Sequence, residues 1–197
     1  MSKEFVVGIT GASGGIYGVR LVQELAAAGH LVHLLLTNAS WQVFREELQW
    51  NITAGDRSSI PIWFKVDPAS VQVHDMHDYR APVASGSHHT DGMVIIPCSM
   101  GTLSAIAHGA SDNLLERAAD TALKEGRTLV VVPRETPMNA IHLRNMLMLA
   151  EAGARILPAM PGFYHLPQTI DDLVDFVVGK VLDALRIDHN LFRRWGE

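Results

Sequence analysis

The sequence predicts a single-domain α/β protein, a three-layer sandwich in which a parallel β-sheet lies between two layers of helices. The first observation is an apolar, β-branched run at 5–10 that leads directly into a glycine-rich turn and a helical pattern. The second is that short apolar runs and helical patterns alternate along the chain, as they do in parallel β-α-β units. The third is the length of 197 residues, which fits one domain.

Residue type and periodicity predict five strands and five helices. The strands are expected at 5–10, 31–37, 92–97, 128–133 and 154–157. The helices are expected at 15–28, 40–49, 114–125, 141–152 and 169–185. The proline-containing stretch 50–90 is expected to form loops and short strands. Ligands of such sheets bind beyond the carboxyl ends of the strands, so the residues that follow each strand are the functional candidates.

Composition and charge exclude several classes of protein. A hydrophobic content of 48% with 19% charged residues indicates an apolar globular protein with surface available for subunit contacts. A net charge of −5 without a basic cluster argues against a nucleic-acid partner. The single cysteine, Cys98, excludes an internal disulfide and fits a reducing compartment. Without a signal-peptide pattern or an apolar run of about 18 residues, we expect a cytoplasmic protein with no membrane span.

The glycine-rich turn after the first strand is predicted to bind a phosphate. Glycine lets backbone N–H groups approach a ligand, and the first turn of the following helix presents unpaired donors. A tight turn that binds nothing is the alternative. A nicotinamide cofactor is disfavoured, because Tyr17 stands where a third glycine is usual and Thr37 ends the second strand where an acid is usual.

A second group of small polar residues follows the third predicted strand. Ser99 and Thr102 either cap a helix that begins here or donate to a ligand phosphate, and Gly101 permits close approach. Cys98, directly before them, is interpreted as a buried apolar residue rather than a nucleophile, since no neighbouring cation would stabilise its thiolate.

Charged residues in two later segments are candidates for anion binding. Arg117 and Lys124 are seven residues apart and fall on nearly one face of a helix, although an ordinary ion-paired surface would show the same spacing. Arg134 and Glu135 follow the fourth strand and lie between two prolines. The arginine could bind an anion and the glutamate could act as acid or base, and a structural ion pair is the alternative.

Several of these runs together resemble the UbiX-type flavin prenyltransferases, within the wider group of homo-oligomeric flavin-containing decarboxylase-like proteins. The matching runs are 11–14, 84–87, 97–99 with 101–103, 116–120 with 124–125, 133–137, 161–165 and 194–196. The resemblance implies a Rossmann-like or flavodoxin-like fold. It also implies an FMN-binding flavoprotein domain at 1–185 and a C-terminal tail at 186–197 that closes the active site.

The activity that the resemblance implies is the transfer of a dimethylallyl group from dimethylallyl phosphate to N5 and C6 of reduced FMN. The product, prenylated FMN, would pass to a UbiD-type decarboxylase. The resemblance further implies a homo-oligomer, expected to be a dodecamer, with flavin sites at subunit contacts and no required metal. Whether the donor is a monophosphate or a pyrophosphate stays open.

Site residues follow from the resemblance position by position. Those matching the flavin-binding positions are Gly11, Ala12, Ser13, Thr37, Ser99, Met100, Gly101, Thr102 and Arg134. Those matching the allylic phosphate positions are Arg117, Lys124, Arg134, Tyr164 and Lys180. The catalytic candidates are Ser13, Glu47, Lys124, Glu135 and Trp195. Among these, Ser13, Glu47 and Glu135 are expected to assist proton transfer, whereas Trp195 offers a ring face to an allyl cation.

Two other functions remain open from the sequence. One is an FMN-dependent decarboxylase of the cysteine-decarboxylase type, and the other is a non-enzymatic flavin carrier. The carrier would not need cations and a carboxylate grouped about a second anion site.

Two further groups of side chains are assigned to the surface or to subunit interfaces. The histidines of His74-x-x-His77 and His88-His89 lack a third ligand at a diagnostic spacing, so they are interpreted as surface or interface residues. A set of aromatic residues is expected to be exposed as interface anchors: Trp41, Trp50, Trp63 and Phe64.

Overall fold

Six parallel strands form one sheet in the order β3-β2-β1-β4-β5-β6 in the computed structural model, which describes residues 2–196. The strands are β1 Glu4–Ile9, β2 Leu31–Leu36, β3 Val71–His74, β4 Gly92–Cys98, β5 Leu129–Pro133 and β6 Arg155–Ile156. The chain reverses its direction of winding between β1 and β4. This is the Rossmann order rather than the flavodoxin order, and it places a ligand crevice beyond the carboxyl ends of β1 and β4.

Seven α-helices cover the two faces of the sheet in the described part of the chain. They are α1 Gly15–Ala27, α2 Asn38–Leu48, α3 Ile60–Phe64, α4 Met100–Ala107, α5 Leu114–Lys124, α6 Ala140–Glu151 and α7 Ile170–Leu185. The first face packs against α1, α2, α3 and α7, and the second against α4, α5 and α6. The expected three-layer sandwich is therefore confirmed.

Successive side chains of each strand point to opposite faces of the sheet, so the core is divided into two layers. In β1, Phe5 and Val7 belong to the core of the first face, whereas Val6 belongs to that of the second. The strands read as continuous apolar runs because both faces are covered. His33 is an exception, since it is buried in the middle of β2 and only 2% exposed.

The predicted elements agree with the structure to within one or two residues at most ends. Within 50–90, where short strands and loops were expected, β3 and α3 form, and α4 begins at the predicted hydroxyl cluster. Among the described residues, none of the helices has both the length and the apolar character needed to cross a bilayer.

The expectation of exposed aromatic anchors is wrong. Trp41 and Phe64 are buried, and Trp50 stacks on Trp63 with ring centroids 5.3 Å apart. The segment after α2 folds back over the first face, where Trp41 and Phe64 join the buried core and the half-buried Trp50 and Trp63 pack against it. Exposed apolar side chains occur elsewhere, on α6, in the segment before α7 and at the first residue of α7: Ile141, Leu143, Leu147, Met160, Phe163, Leu166 and Ile170.

Candidate active site

The turns after β1 and β4 are joined by one buried threonine. The Thr10 hydroxyl donates to the carbonyl oxygen of Pro97 at 2.8 Å and accepts from the backbone N–H of Ser99 at 2.8 Å. Because Thr10 lies directly before Gly11, this pair of bonds holds the glycine turn beside the first turn of α4. Both turns lie at the crevice that the strand order predicts for a ligand.

The glycine turn also packs closely on the start of α2. A Cβ atom added to Gly11 would lie 2.4 Å from the Cβ of Ala39, so only glycine fits there without a shift. Among residues 2–196, the backbone N–H groups of Gly11, Ala12 and Ser13 have no hydrogen-bond partner. They are therefore available to a ligand.

The next two N–H groups of the turn are already engaged. Gly14 and Gly15 donate to the carboxylate of Glu47 at 2.8 and 3.2 Å, so the end of α2 caps the beginning of α1. The sequence led us to expect a phosphate at the start of this helix. A carboxylate takes that position, and the free donors of the turn lie one to three residues earlier.

The first turn of α4 has the cap that the sequence suggested. Ser99 Oγ accepts from the Thr102 backbone N–H at 3.3 Å and lies 3.1 Å from the Thr102 hydroxyl. A Cβ atom added to Gly101 would meet nothing within 4 Å, so this turn faces open space. Met100 is nearly buried in the second core.

Two buried polar atoms near these turns have no partner among residues 2–196: Thr37 Oγ1 and Arg134 Nε. Leaving such a donor or acceptor unpaired costs about 1–3 kcal/mol, so both atoms point to a polar ligand. Thr37 follows β2 and Arg134 follows β5. Burial raises the pKa of Tyr17 in the first turn of α1, and the charge of Arg134 opposes part of that rise.

The other candidates at this edge are less enclosed. Ser13 is exposed, and Glu135 is half-buried and accepts from the Thr136 backbone N–H at 3.0 Å. A cavity of about 400 Å³ lies beyond the ends of β2 and β3. Thr37 is the only member of the predicted flavin set that lines this cavity.

The predicted phosphate-binding residues are divided between the two faces of the sheet. Arg117 and Lys124 belong to α5 on the second face, where Arg117 pairs with Asp120 at 2.9 Å. Tyr164 and Lys180 lie with α7 on the first face. The two pairs thus belong to elements that cover opposite faces of the sheet.

The tail after α7 packs back on that helix. Phe192 lies against Gly179, and the Trp195 ring meets the Tyr164 ring edge-on with centroids 5.5 Å apart. Trp195 itself is 82% exposed. Asp183, which sequence reasoning did not single out, receives hydrogen bonds from Arg194 at 2.9 Å and from Lys180 at 3.4 Å.

No role was assigned to Thr10 from the sequence, and Asp183 was not singled out because it belongs to no recognisable motif. A threonine at the end of a buried strand, directly before a glycine turn, was the available signal for Thr10. Asp183 had none, since its partner Arg194 lies eleven residues away beyond the end of the helix.

The chain is similar to known proteins over nearly its whole length. A family model described as Flavoprotein matches residues 1–182. The flavin prenyltransferase UbiX of Alkalihalophilus pseudofirmus is 62% identical over 198 residues, covering 100% of this chain and 98% of that relative. The crystal structure of AnUbiX (PadA1) in complex with FMN and dimethylallyl pyrophosphate has a TM-score of 0.89 at 40% identity, covering 100% of this chain and 99% of that one.

Two other solved structures are informative. A dodecameric FMN-dependent UbiX-like decarboxylase from Escherichia coli O157:H7 has a TM-score of 0.87 at 41% identity, covering 98% of this chain and 100% of that one. A peptidyl-cysteine decarboxylase is 15% identical with a TM-score of 0.61, which shows a shared fold alone.

Proposed function

The chain belongs to the UbiX family of flavin prenyltransferases, and from this membership we propose that it transfers the dimethylallyl group of dimethylallyl phosphate to reduced FMN. The bonds form at N5 and C6 of the flavin, and the product is prenylated FMN. The single observation that carries the proposal is 62% identity over the whole chain to a flavin prenyltransferase.

The crevice beyond β1 and β4 suits FMN by the chemistry of its donors. Three unpaired N–H groups at 11–13 and the unpaired atoms of Thr37 and Arg134 would pair with the oxygens of a phosphorylated flavin. Ser99, Met100, Gly101 and Thr102 would line the same ligand from the open first turn of α4. When bound, reduced FMN supplies the nucleophilic ring atoms.

The residues for the allylic phosphate require a second copy of the chain. Tyr164 and Lys180 of one subunit would face Arg117 and Lys124 of a neighbour, with Arg134 between the flavin and this phosphate. Cations and hydroxyl donors stabilise negative charge that develops on a departing phosphate. The exposed apolar side chains of α6 and of 160–170 support a homo-oligomer, and we propose a dodecamer like that named for the Escherichia coli relative.

Proton transfer is assigned to three side chains near the crevice. Ser13 and Glu135 follow β1 and β5 at the edge where the flavin would bind, and Glu47 reaches the same turn from the end of α2. Lys124 completes the catalytic set by stabilising the leaving phosphate.

The C-terminal tail is proposed to act as a separate functional unit. Residues 1–185 form the flavoprotein domain, and residues 186–197 close the site. Trp195 offers an exposed ring face within reach of Tyr164, where an allyl cation would be stabilised. Prenylated FMN would then leave for a UbiD-type decarboxylase.

Mass spectrometry of the bound flavin tests this function. The protein is incubated without oxygen with reduced FMN and either dimethylallyl phosphate or dimethylallyl pyrophosphate. A flavin heavier by one dimethylallyl unit is the expected product, and the better of the two donors identifies the substrate. FMN recovered unchanged with both donors would contradict the proposal.

Two matched variants distinguish the loss of a catalytic lysine from a nonspecific effect of replacing a surface lysine. Lys124→Gln should abolish the mass increase, whereas Lys65→Gln, at an exposed lysine on the opposite side of the sheet, should not. Decarboxylation is the second candidate function, because the Escherichia coli relative is named a UbiX-like decarboxylase. Loss of carbon dioxide from a peptide ending in cysteine, with FMN unchanged, would favour that candidate instead.

A further inference from the structure

A polar cluster lies on the second face of the sheet, and one of its members, His74, also lines the cavity beyond β2 and β3. It consists of Glu4, His33, His74 and His88, and we call it the Glu4 cluster. Glu4 and His33 come from the first halves of β1 and β2, and His74 ends β3. The loop before β4 covers this part of the sheet and contributes His88. The four residues lie far apart along the chain, so only the fold brings them together.

Three of these side chains converge on one point. Glu4 Oε2 lies 3.2 Å from His33 Nε2 and 3.1 Å from His88 Nε2. All three atoms lie within 4.8 Å of one another. In a tetrahedral zinc site with bonds of about 2.0–2.2 Å, neighbouring ligand atoms are about 3.3 Å apart. The two distances from Glu4 Oε2 fit that spacing, and the two histidine nitrogens lie within 4.8 Å of each other.

We propose that Glu4, His33 and His88 form a binding site for a transition-metal ion of the Zn²⁺ class. Two imidazole nitrogens and one carboxylate oxygen are ligands that such ions prefer. Three protein ligands leave a fourth position for water or another group. The ion would bridge β1, β2 and the loop before β4.

The ligands are held in place by their surroundings. His33 Nδ1 lies 2.9 Å from His74 Nε2, so the second ring nitrogen of His33 has a hydrogen-bond partner that would orient the ring. Arg127 donates to the carbonyl oxygens of His88 at 2.8 Å and of Gly86 at 2.6 Å, which fixes the loop. These contacts hold the His33 ring and the backbone of the loop that carries His88.

The cluster is reachable from outside. The side chain of His33 is 2% exposed, but those of His88 and Glu4 are 32% and 40% exposed. An ion can therefore enter from the side of the loop while the buried histidine anchors it. The same distances also suit hydrogen bonds from two histidines to one carboxylate, so the test must separate a metal site from such a network.

The proposal does not depend on flavin chemistry, since none of its ligands belongs to the predicted flavin or phosphate set. The sequence predicted no required metal, and this ion would have no part in prenyl transfer. In the sequence, His74 and His88 belong to two separate histidine groupings. The other two members of the Glu4 cluster, the mid-strand His33 and the glutamate that starts β1, belong to neither grouping.

Metal titration of the full chain tests the site. Protein stripped with a chelator is titrated with Zn²⁺ against a chromophoric competitor, and Co²⁺ is added to a second sample for its absorption spectrum. One ion per chain and an intense tetrahedral Co²⁺ spectrum are expected. Binding of less than one ion per chain, or an octahedral spectrum typical of hydrated Co²⁺, would overturn the proposal.

Conservative variants identify the ligands. Glu4→Gln keeps a hydrogen-bond acceptor for a histidine and removes the anionic ligand, and His88→Gln removes a half-exposed ligand. Each should weaken Zn²⁺ binding at least about 100-fold, because even loss of a second-shell partner costs about 10- to 100-fold. His89→Gln, at the exposed neighbouring position, is the matched control and should bind like the parent. Parent-like binding by both cluster variants would refute the assignment.

Discussion

The carboxylate of Glu47 lies 2.8 Å from the backbone nitrogen of Gly14 and caps the first turn of α1. A side chain from the end of α2 thus accepts hydrogen bonds from the backbone N–H groups at the start of α1. The same residue is a proposed proton-transfer group, so its structural and chemical roles have to be separated by experiment.

Two substitutions at Glu47 separate those roles. Glu47→Ala should lower the free energy of unfolding by about 1 kcal/mol through loss of the cap, whereas Glu47→Gln retains an acceptor and should lower it less. If Glu47 moves a proton, both variants should lose prenyl transfer to a similar extent. Urea unfolding and single-turnover kinetics measure the two effects. Parent-like turnover by Glu47→Gln would restrict Glu47 to capping.

Thr37→Val is expected to weaken FMN binding without destabilising the flavin-free protein. The hydroxyl of Thr37 is buried and unpaired there, so valine removes an unsatisfied atom and also a partner for the flavin. We expect FMN affinity to fall about 10-fold in a fluorescence titration, since one hydrogen bond contributes about 1 kcal/mol or more.

Thr10→Val provides the contrast for that experiment. Its hydroxyl makes two hydrogen bonds that join the turns after β1 and β4, so this variant should unfold more readily even without FMN. Equal loss of stability in the two variants would show that Thr37 is structurally paired after all.

Mixing two inactive variants tests whether the active site is shared between subunits. Lys124 and Lys180 lie on opposite faces of the sheet, so a shared site takes them from different chains. Lys124→Gln and Lys180→Gln should each be nearly inactive. Oligomers co-assembled from equal amounts should recover roughly a quarter of the parent activity, because that fraction of sites receives both lysines. No recovery would place both residues in one chain's site.

Asp183 is expected to hold the C-terminal tail in a pH-dependent way. Burial opposes ionisation of its carboxyl group, but the hydrogen bond and charge of Arg194 and the charges of His189 and Lys180 outweigh it, so its pKa is lowered from 3.8. A lowered folded-state pKa means that the contribution to stability is complete above pH 3.8 and disappears as the pH falls through the folded value.

Hydrogen exchange of residues 187–196 measures that contribution. Protection of the tail in the parent should stay constant from neutral pH down to the ordinary carboxyl pKa and then fall. Asp183→Asn should lower the protection already at neutral pH, and Asp188→Asn, at an exposed neighbouring position, should not. Equal protection in the parent and Asp183→Asn would show that apolar packing of Phe192 alone holds the tail.

Cys98 is expected to be unreactive in the folded protein. Burial raises the pKa of its thiol well above the usual value, and the sulfur lies in the core of the second face. A chromogenic thiol reagent at pH 8 should therefore react only after denaturation. Rapid reaction with the native protein would mean that the core around Cys98 opens readily.

The parts of the fold that sequence predicted are those set by local pattern. The strand at 5–10, the turn at 11–14 and the cap at Ser99 depend on residues close together in the chain, and all three appear in the structure. Contacts between distant residues were not predictable in the same way. The bond between Gly14 and Glu47 spans 33 positions, and that between Glu4 and His88 spans 84.

Side-chain burial was the least predictable property. Trp41 was expected to be an exposed interface anchor although it lies in the predicted helix 40–49, yet its side chain is buried in the core of the first face. The seven-residue spacing of Arg117 and Lys124 correctly put both on one helix. The spacing does not tell which face of the sheet that helix covers. It therefore could not show that Arg117 and Lys124 lie on the opposite face from Lys180.

The unpaired atoms of Thr37 and Arg134 also bear on how long a chain survives in a cell. A ligand that pairs them binds the folded state and not the unfolded one, so it lowers the fraction of chains open to proteases. Chains without flavin would be degraded faster than loaded ones. The abundance of this protein would then follow the supply of flavin, with no dedicated regulator required.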